Sequence, residues 1–231
     1  MTYTDKMGKS WHISDSSAYK ESIDVIERTD TKDFIHLVTM QNHIAYRNKY
    51  DNPSFDTTGT EVKADGDGYM EDLHNSDKAL EQLIDFIDDQ EEDFLLVFWG
   101  DHLPGIYPEE ITNKNSELSM RETPLFFYSN KHDLSGDVGT ISPVFYLNHI
   151  LEILDMKVTP HEALINDMEQ VLPGLLGGLY LENNSEEIIS SRDDLSDESR
   201  SLLKDLDLLQ YDIVSGSQYA EELGFFEIQD N

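Results

Sequence analysis

Phe94-Leu95-Leu96-Val97-Phe98-Trp99-Gly100-Asp101-His102-Leu103-Pro104-Gly105 is the stretch from which the fold of this chain is read. Its first six residues are apolar without alternation, the pattern of a strand buried on both faces of a parallel sheet. Two chemistry-bearing side chains, Asp101 and His102, follow at once, with Gly100 giving the backbone room to turn. Ligands of open α/β sheets bind beyond the carboxyl ends of the strands. A carboxylate oxygen and an imidazole nitrogen at that edge can share one divalent metal ion, so Asp101 and His102 are the candidate metal ligands.

Upstream lies the clearest helix, where Tyr69, Leu73, Leu80, Leu83, Ile84 and Ile87 make one apolar stripe while Glu71, Asp72, Glu81 and Asp85 face water. Before it, Ala45 to Gly68 is rich in Asn, Asp, Gly, Thr and Pro and reads as a long surface loop of the kind that carries function. Phe34-Ile35-His36-Leu37-Val38-Thr39-Met40 is a second buried strand, ending in Gln41-Asn42-His43. His43 is a candidate donor to a phosphate or sulfate oxygen, or a general acid, near the metal. His36 inside that strand and His149 on a helix read as satisfied core residues, and His12, His74, His132 and His161 have no evident partner. Tyr19, Ile23 and Ile26 recur at helical spacing behind the cap oxygens of Ser14 to Ser16, predicting a helix from Ser17 to Arg28.

Downstream, Thr123 to Tyr128 is a third strand, with Pro124 at its start. Ser142-Pro143 opens a helix whose buried side is Val144, Leu147, Ile150, Leu151 and Leu154. Strands alternating with helices define an α/β fold with a mainly parallel sheet. The alternation then stops. Gly174, Gly177 and Gly178 interrupt an apolar stretch, a capped acidic helix is expected from Ser196 to Leu206, and Leu208 to Val214 reads as an edge strand. The expected organisation is a catalytic portion over residues 1–172 and a small α+β appendage over 173–231 packed on it.

Composition narrows the function. The 231 residues hold 48 Asp and Glu against 16 Lys and Arg, a formal net charge of −32, which disfavours nucleic acid and anionic membrane surfaces as partners. The same excess suits a surface adapted to high salt or a polyanionic cell wall. With 38% hydrophobic and 10% aromatic residues the chain still has the apolar content of a folded protein. Cysteine is absent, which excludes disulfides and thiolate sites. No apolar run approaches the ~20 residues that span a bilayer, and Met1 to Ser10 lacks the apolar core of a signal peptide.

Leu37-Val38-Thr39-Met40-Gln41-Asn42-His43 followed by Phe98-Trp99-Gly100-Asp101-His102-Leu103-Pro104-Gly105 resembles the lipoteichoic acid synthase family, the sulfatase-like phosphoglycerol transferases of the alkaline phosphatase superfamily. Ile13-Ser14-Asp15, Asn75 to Leu80, Arg121 to Leu125 and Gln210 to Gly216 extend the resemblance over nearly the whole chain. It implies an α/β sulfatase-like domain, one Mn²⁺ or Mg²⁺ held in part by Asp101 and His102, and His43 as the substrate-binding histidine. It further implies a threonine nucleophile that attacks the phosphorus of phosphatidylglycerol and releases diacylglycerol, on the outer face of the cell membrane. The family's metal-ligand Glu, nucleophile Thr and phosphate-gripping Arg precede the region matching Met1, so the metal site is expected to be incomplete and the chain inactive alone. Thr39 does not occupy the nucleophile's place. The alternatives are a sulfuric or phosphoric ester hydrolase of the same superfamily, or a non-catalytic module that binds anionic glycolipid or polymer. A subunit that needs a partner with the missing half, or self-associates, through an exposed sheet edge is the third.

Overall fold

The computed structural model describes residues 2–58 and 62–229, and packing divides them into two compact units. The first comprises residues up to Ser116 with Thr123–Lys131; the second comprises Glu117–Glu122 and residues from His132 onward. This division by packing lies upstream of the 1–172 and 173–231 organisation expected from the sequence.

In the first unit, α1 (Asp15–Ile26) is capped by Ser14, whose hydroxyl accepts the Ser17 N–H. The element order continues with α2 (Lys63–Asp88), β1 (Leu95–Trp99), the short α3 (Glu109–Thr112) and β2 (Leu125–Ser129). Helix α2 starts earlier than the sequence suggests, so Gly66 and Gly68, expected in a loop, lie inside it. Close approach explains both glycines: a Cβ on Gly68 would sit 2.2 Å from the Tyr46 carbonyl oxygen, and one on Gly66 would sit 2.7 Å from the Thr57 hydroxyl. Residues 59–61 of the expected loop lie outside the described residues. Tyr19, Ala79, Leu83 and Ile87 form the buried core between α1 and α2, with Leu96 of β1 and Tyr128 of β2 packed against it.

The sheet departs from expectation. Strands β1 and β2 pair antiparallel, Val97 opposite Phe127, and they are the whole of this sheet among the described residues. The strand expected at Phe34 to Met40 is not formed: those residues carry no strand assignment, and Phe34 and Val38 are 84% and 67% exposed. A strand is stabilised by its neighbours, and none of the strands among the described residues pairs with this segment. His36, expected in the core, is exposed and stacks on Trp99 at 5.9 Å between ring centroids. An α/β composition is therefore present, while a mainly parallel arrangement is not seen in these short strands.

The second unit closes on itself. A 3-10 turn at Pro143–Phe145 leads into α4 (Tyr146–Ile153), and α5 (Pro160–Val171) opens with a capping box between Thr159 and Glu162. The buried residues at this entry are Phe145, Tyr146 and Asn148, whereas Val144 and Leu147, expected inside, are exposed. The offset arises because the first turn is 3-10, which rotates the later residues about the axis relative to a continuous α-helix. A hairpin follows, β3 (Gly174–Leu176) and β4 (Leu179–Leu181), turning on Gly177 and Gly178, both at positive φ as a tight primed turn demands. Helix α6 (Asp197–Val214) absorbs the edge strand expected at Leu208 to Val214, and α7 (Tyr219–Glu222) follows. Leu203 and Leu209 of α6 are buried, so a helical face outweighed the β-branched ending. Phe145, Met168 and Leu172 are fully buried at the centre of this unit, with Ile165, Tyr180, Leu195 and Leu203 around them.

Candidate active site

Gly100 sets the geometry at the end of β1. Its N–H donates to the Pro124 carbonyl (3.0 Å) and its own carbonyl accepts the Thr123 hydroxyl (2.6 Å), tying the exit of β1 to the entry of β2. Its φ is not positive; space is what it supplies, since a Cβ there would lie 3.1 Å from that of Thr123. The chain leaves this clamp into solvent, and Asp101 and His102 project with side chains 80% and 67% exposed.

The pair is pre-arranged. Asp101 Oδ1 accepts the His102 N–H at 2.9 Å, and His102 Nδ1 donates to the Leu103 carbonyl at 2.8 Å. That assignment leaves the lone pair of Nε2 facing Asp101 Oδ2 across 3.6 Å. Cis donors on an octahedral ion with bonds of about 2.1 Å stand about 3.0 Å apart, so the two side chains would draw together by about half an ångström to share one such cation. A ligating imidazole whose other nitrogen is held by a backbone carbonyl is the usual support for metal binding. Asp101 and His102 thus fit two positions of a divalent site. No cluster of three or more His, Asp or Glu able to hold a metal occurs among the described residues, so the pair would need further ligands to make a complete site.

His43 sits in a turn closed by its N–H donating to the Met40 carbonyl (3.2 Å). Its Nδ1 donates to the Ile44 carbonyl (3.1 Å), which leaves Nε2 for a ligand. The turn is anchored from below by a buried polar network. Gln41, 2% exposed, accepts the Asp15 N–H and donates to the Asp72 carbonyl (3.2 Å) and the Ser76 hydroxyl (3.0 Å). Lys49, also buried, donates to the Gln41 carbonyl (2.5 Å) and to the Asp72 carboxylate (2.7 Å), which the Tyr50 hydroxyl also reaches at 2.6 Å. Burial raises the pKa of Asp72, against the pull of Lys49 and Tyr50. Burial likewise raises that of Asp15, whose Oδ2 accepts from Ser76 at 2.5 Å.

Two residues without an assigned role in the sequence reading join this surface. His12 packs its ring edge-on to His43, with centroids 5.4 Å apart. Tyr46 donates to the Asn42 carbonyl at 2.9 Å, and its phenol is pushed up to about 12, chiefly by burial and further by Tyr69, Asp72 and Asp101. The His12–His43 contact had no spacing signal because it joins segments 31 residues apart, while Tyr46 reaches back only four residues, to Asn42, within its own turn. His149, by contrast, is partnered as expected, with Nε2 2.7 Å from Glu169.

The Asp-His pair leaving β1 and the histidine of the braced turn lie in the same packed unit of a chain that mixes helices and strands. The Sulfatase family model matches residues 1–156, and the chain belongs to the sulfatase family. A curated protein of Rhizobium meliloti (strain 1021), named "Putative cyclic beta-1,2-glucan modification protein", is 28% identical over 234 residues, covering 92% of this chain and 36% of that protein. Among solved structures, the Streptococcus pyogenes phosphoglycerol transferase GacH in complex with sn-glycerol-1-phosphate superposes with a TM-score of 0.77 at 22% identity, over 99% of this chain and 56% of that one. The chain thus spans about a third of the curated relative and just over half of the solved one. These relatives agree with the lipoteichoic acid synthase-like resemblance. Among the described residues no helix is long and apolar enough to cross a membrane.

Proposed function

We propose that this chain supplies part of the catalytic site of a phosphoglycerol transferase, acting on phosphatidylglycerol in the synthesis of a cell-envelope polymer at the outer face of the membrane. The observation that carries the reading is the Asp101–His102 pair, held with Nε2 toward Oδ2 at the exit of β1 in a sulfatase-family chain. In this reading Asp101 and His102 hold Mn²⁺ or Mg²⁺, a Lewis acid that neutralises charge on a phosphoryl oxygen. His43 Nε2 donates to another phosphate oxygen, oriented by the bond from Nδ1 to Ile44. His12, edge-on to His43, limits the directions from which the headgroup enters. The bond from phosphorus to the diacylglycerol oxygen breaks as one forms to a hydroxyl nucleophile carried by a part of the domain outside this chain.

The name of the solved relative supports glycerol phosphate as the group moved, and that of the curated relative supports a carbohydrate acceptor. An acidic body works beside an anionic lipid only if other segments hold it there, which makes the metal and His43 the local attraction for phosphate.

The test uses the chain as part of a reconstituted full-length enzyme. Diacylglycerol release from phosphatidylglycerol, lost in Asp101→Ala and reduced at least ~100-fold in His43→Ala, is the expected result. Hydrolysis of an aryl sulfate ester with no release of diacylglycerol would assign the site to a sulfatase instead.

A further inference from the structure

His12 and His43 hang from one buried support. Gln41 opens the turn that carries His43, and the buried Lys49 ammonium holds that turn through the Gln41 carbonyl (2.5 Å). The same two residues also grip the segment that carries His12. On one side of His12 the Lys49 carbonyl accepts the Lys9 N–H at 2.8 Å, and on the other the Gln41 side chain accepts the Asp15 N–H at 3.0 Å. Between these anchors the backbone is shaped to fit. Gly8 lies at a φ of +53°, where a Cβ would run into the Lys49 carbonyl oxygen. The Ser10 N–H donates to the Met7 carbonyl (3.0 Å), and the Ser10 hydroxyl accepts the His12 N–H (3.0 Å). This scaffold presents two imidazoles with centroids 5.4 Å apart and planes inclined by 67°. The ring nitrogens of His12 make no hydrogen bond among the described residues, and His43 keeps Nε2 for a ligand.

We propose that His12 is a second substrate-binding residue, its imidazole donating to an oxygen of the same phosphate that His43 holds. The inference rests on the reading of His43 as a phosphate donor and adds a partner to it. Rings inclined to one another aim their N–H groups in different directions, and a tetrahedral phosphate offers its oxygens in different directions as well. Parallel rings would compete for a single oxygen. The other cations of the same two segments are already engaged: Lys9 pairs with Asp51, Arg47 with Asp65 and the buried Lys49 with Asp72. In a chain with a formal charge of −32, that leaves the two imidazoles to meet the anion at this turn. Their common anchorage on Gln41 and Lys49 fixes the spacing between them before the ligand arrives, which lowers the ordering cost of binding.

Titration of the isotope-labelled chain with sn-glycerol-1-phosphate, followed through its imidazole signals by NMR, tests the pair. The His12 and His43 signals should move together along one binding curve. His12→Ala should weaken the fitted affinity by ~10-fold or more, the effect of losing a hydrogen bond to a charged group. Two further variants separate donation from packing. His12→Phe keeps an aromatic edge against His43 but cannot donate, so it should weaken binding as much as His12→Ala, whereas His12→Gln keeps a donor and should recover most of the affinity. Wild-type affinity in His12→Phe, or movement of the His43 signals without those of His12, would overturn the proposal while leaving the role of His43 intact. Stillness of both rings would overturn the proposal and the reading of His43 together. Inorganic sulfate moving both rings with equal affinity would support the two-histidine site and count against the phosphoglycerol reading.

Discussion

The two units of this chain treat apolar sequence in opposite ways. In the second, Phe145, Met168 and Leu172 are 0% exposed, and the hairpin and α6 close over them. In the first, β1 and β2 are half-buried and Phe34 to Met40 lies open, although these stretches are at least as hydrophobic. The difference is one of partners. Met168 finds Phe145 and Leu203 within about 60 residues of chain, while a strand needs two neighbours and a covering layer before its side chains leave water. The active-site candidates sit in the open unit, where the Asp101 and His102 side chains lie largely in solvent; the closed unit carries none of them.

The largest effect is expected where the open unit is locally sealed. Lys49→Met leaves the Asp72 carboxylate buried without its cation and should cost ~3–5 kcal/mol in chemical denaturation. It should also free the His43 turn, because Gln41 loses the Lys49 bond to its carbonyl. Met168→Ala in the closed unit is expected to cost ~2–5 kcal/mol, the price of a cavity in a filled core. A milder change comes from pH. The hydrogen bond that His149 donates to Glu169 raises the pKa of His149 above its unfolded value, so its stabilisation is complete below about pH 6.5 and is lost as pH rises through the folded value. The stability difference between wild type and His149→Phe should therefore shrink between pH 6 and pH 8; a constant difference would show that His149 is held by packing alone. Smallest of all, Phe34→Ala in the isolated chain should change stability by less than ~0.5 kcal/mol, since that ring is 84% exposed. A large loss from Phe34→Ala would erase the contrast between the units.

Much of the local chemistry was legible in the sequence. The Ser14 cap, the apolar stripe of α2, the apolar run of β1 and the place of the Asp101–His102 pair just past it follow from short-range rules of periodicity and capping, but Asp72, expected to face water, is fully buried against Lys49 and Tyr50. What was not legible depended on distant segments. The strand at 34–40 required a neighbour the described chain does not provide, and Leu208 to Val214 became helix because α6 had a core to cover at Leu203 and Leu209. At the site, the pairing of His12 with His43 and the Lys49–Asp72 support beneath Gln41 link residues with no shared periodicity. Gly100 was read for its flexibility, whereas the structure uses its lack of a side chain against Thr123.

The central claim is that Asp101 and His102 are two ligands of a divalent site that this chain does not complete. Calorimetric titration of the isolated chain with Mn²⁺ tests it most directly. The account predicts binding weaker than a Kd of ~10 μM, about 7 kcal/mol, and its loss in Asp101→Ala. Tighter binding, or binding indifferent to Asp101→Ala, would contradict it.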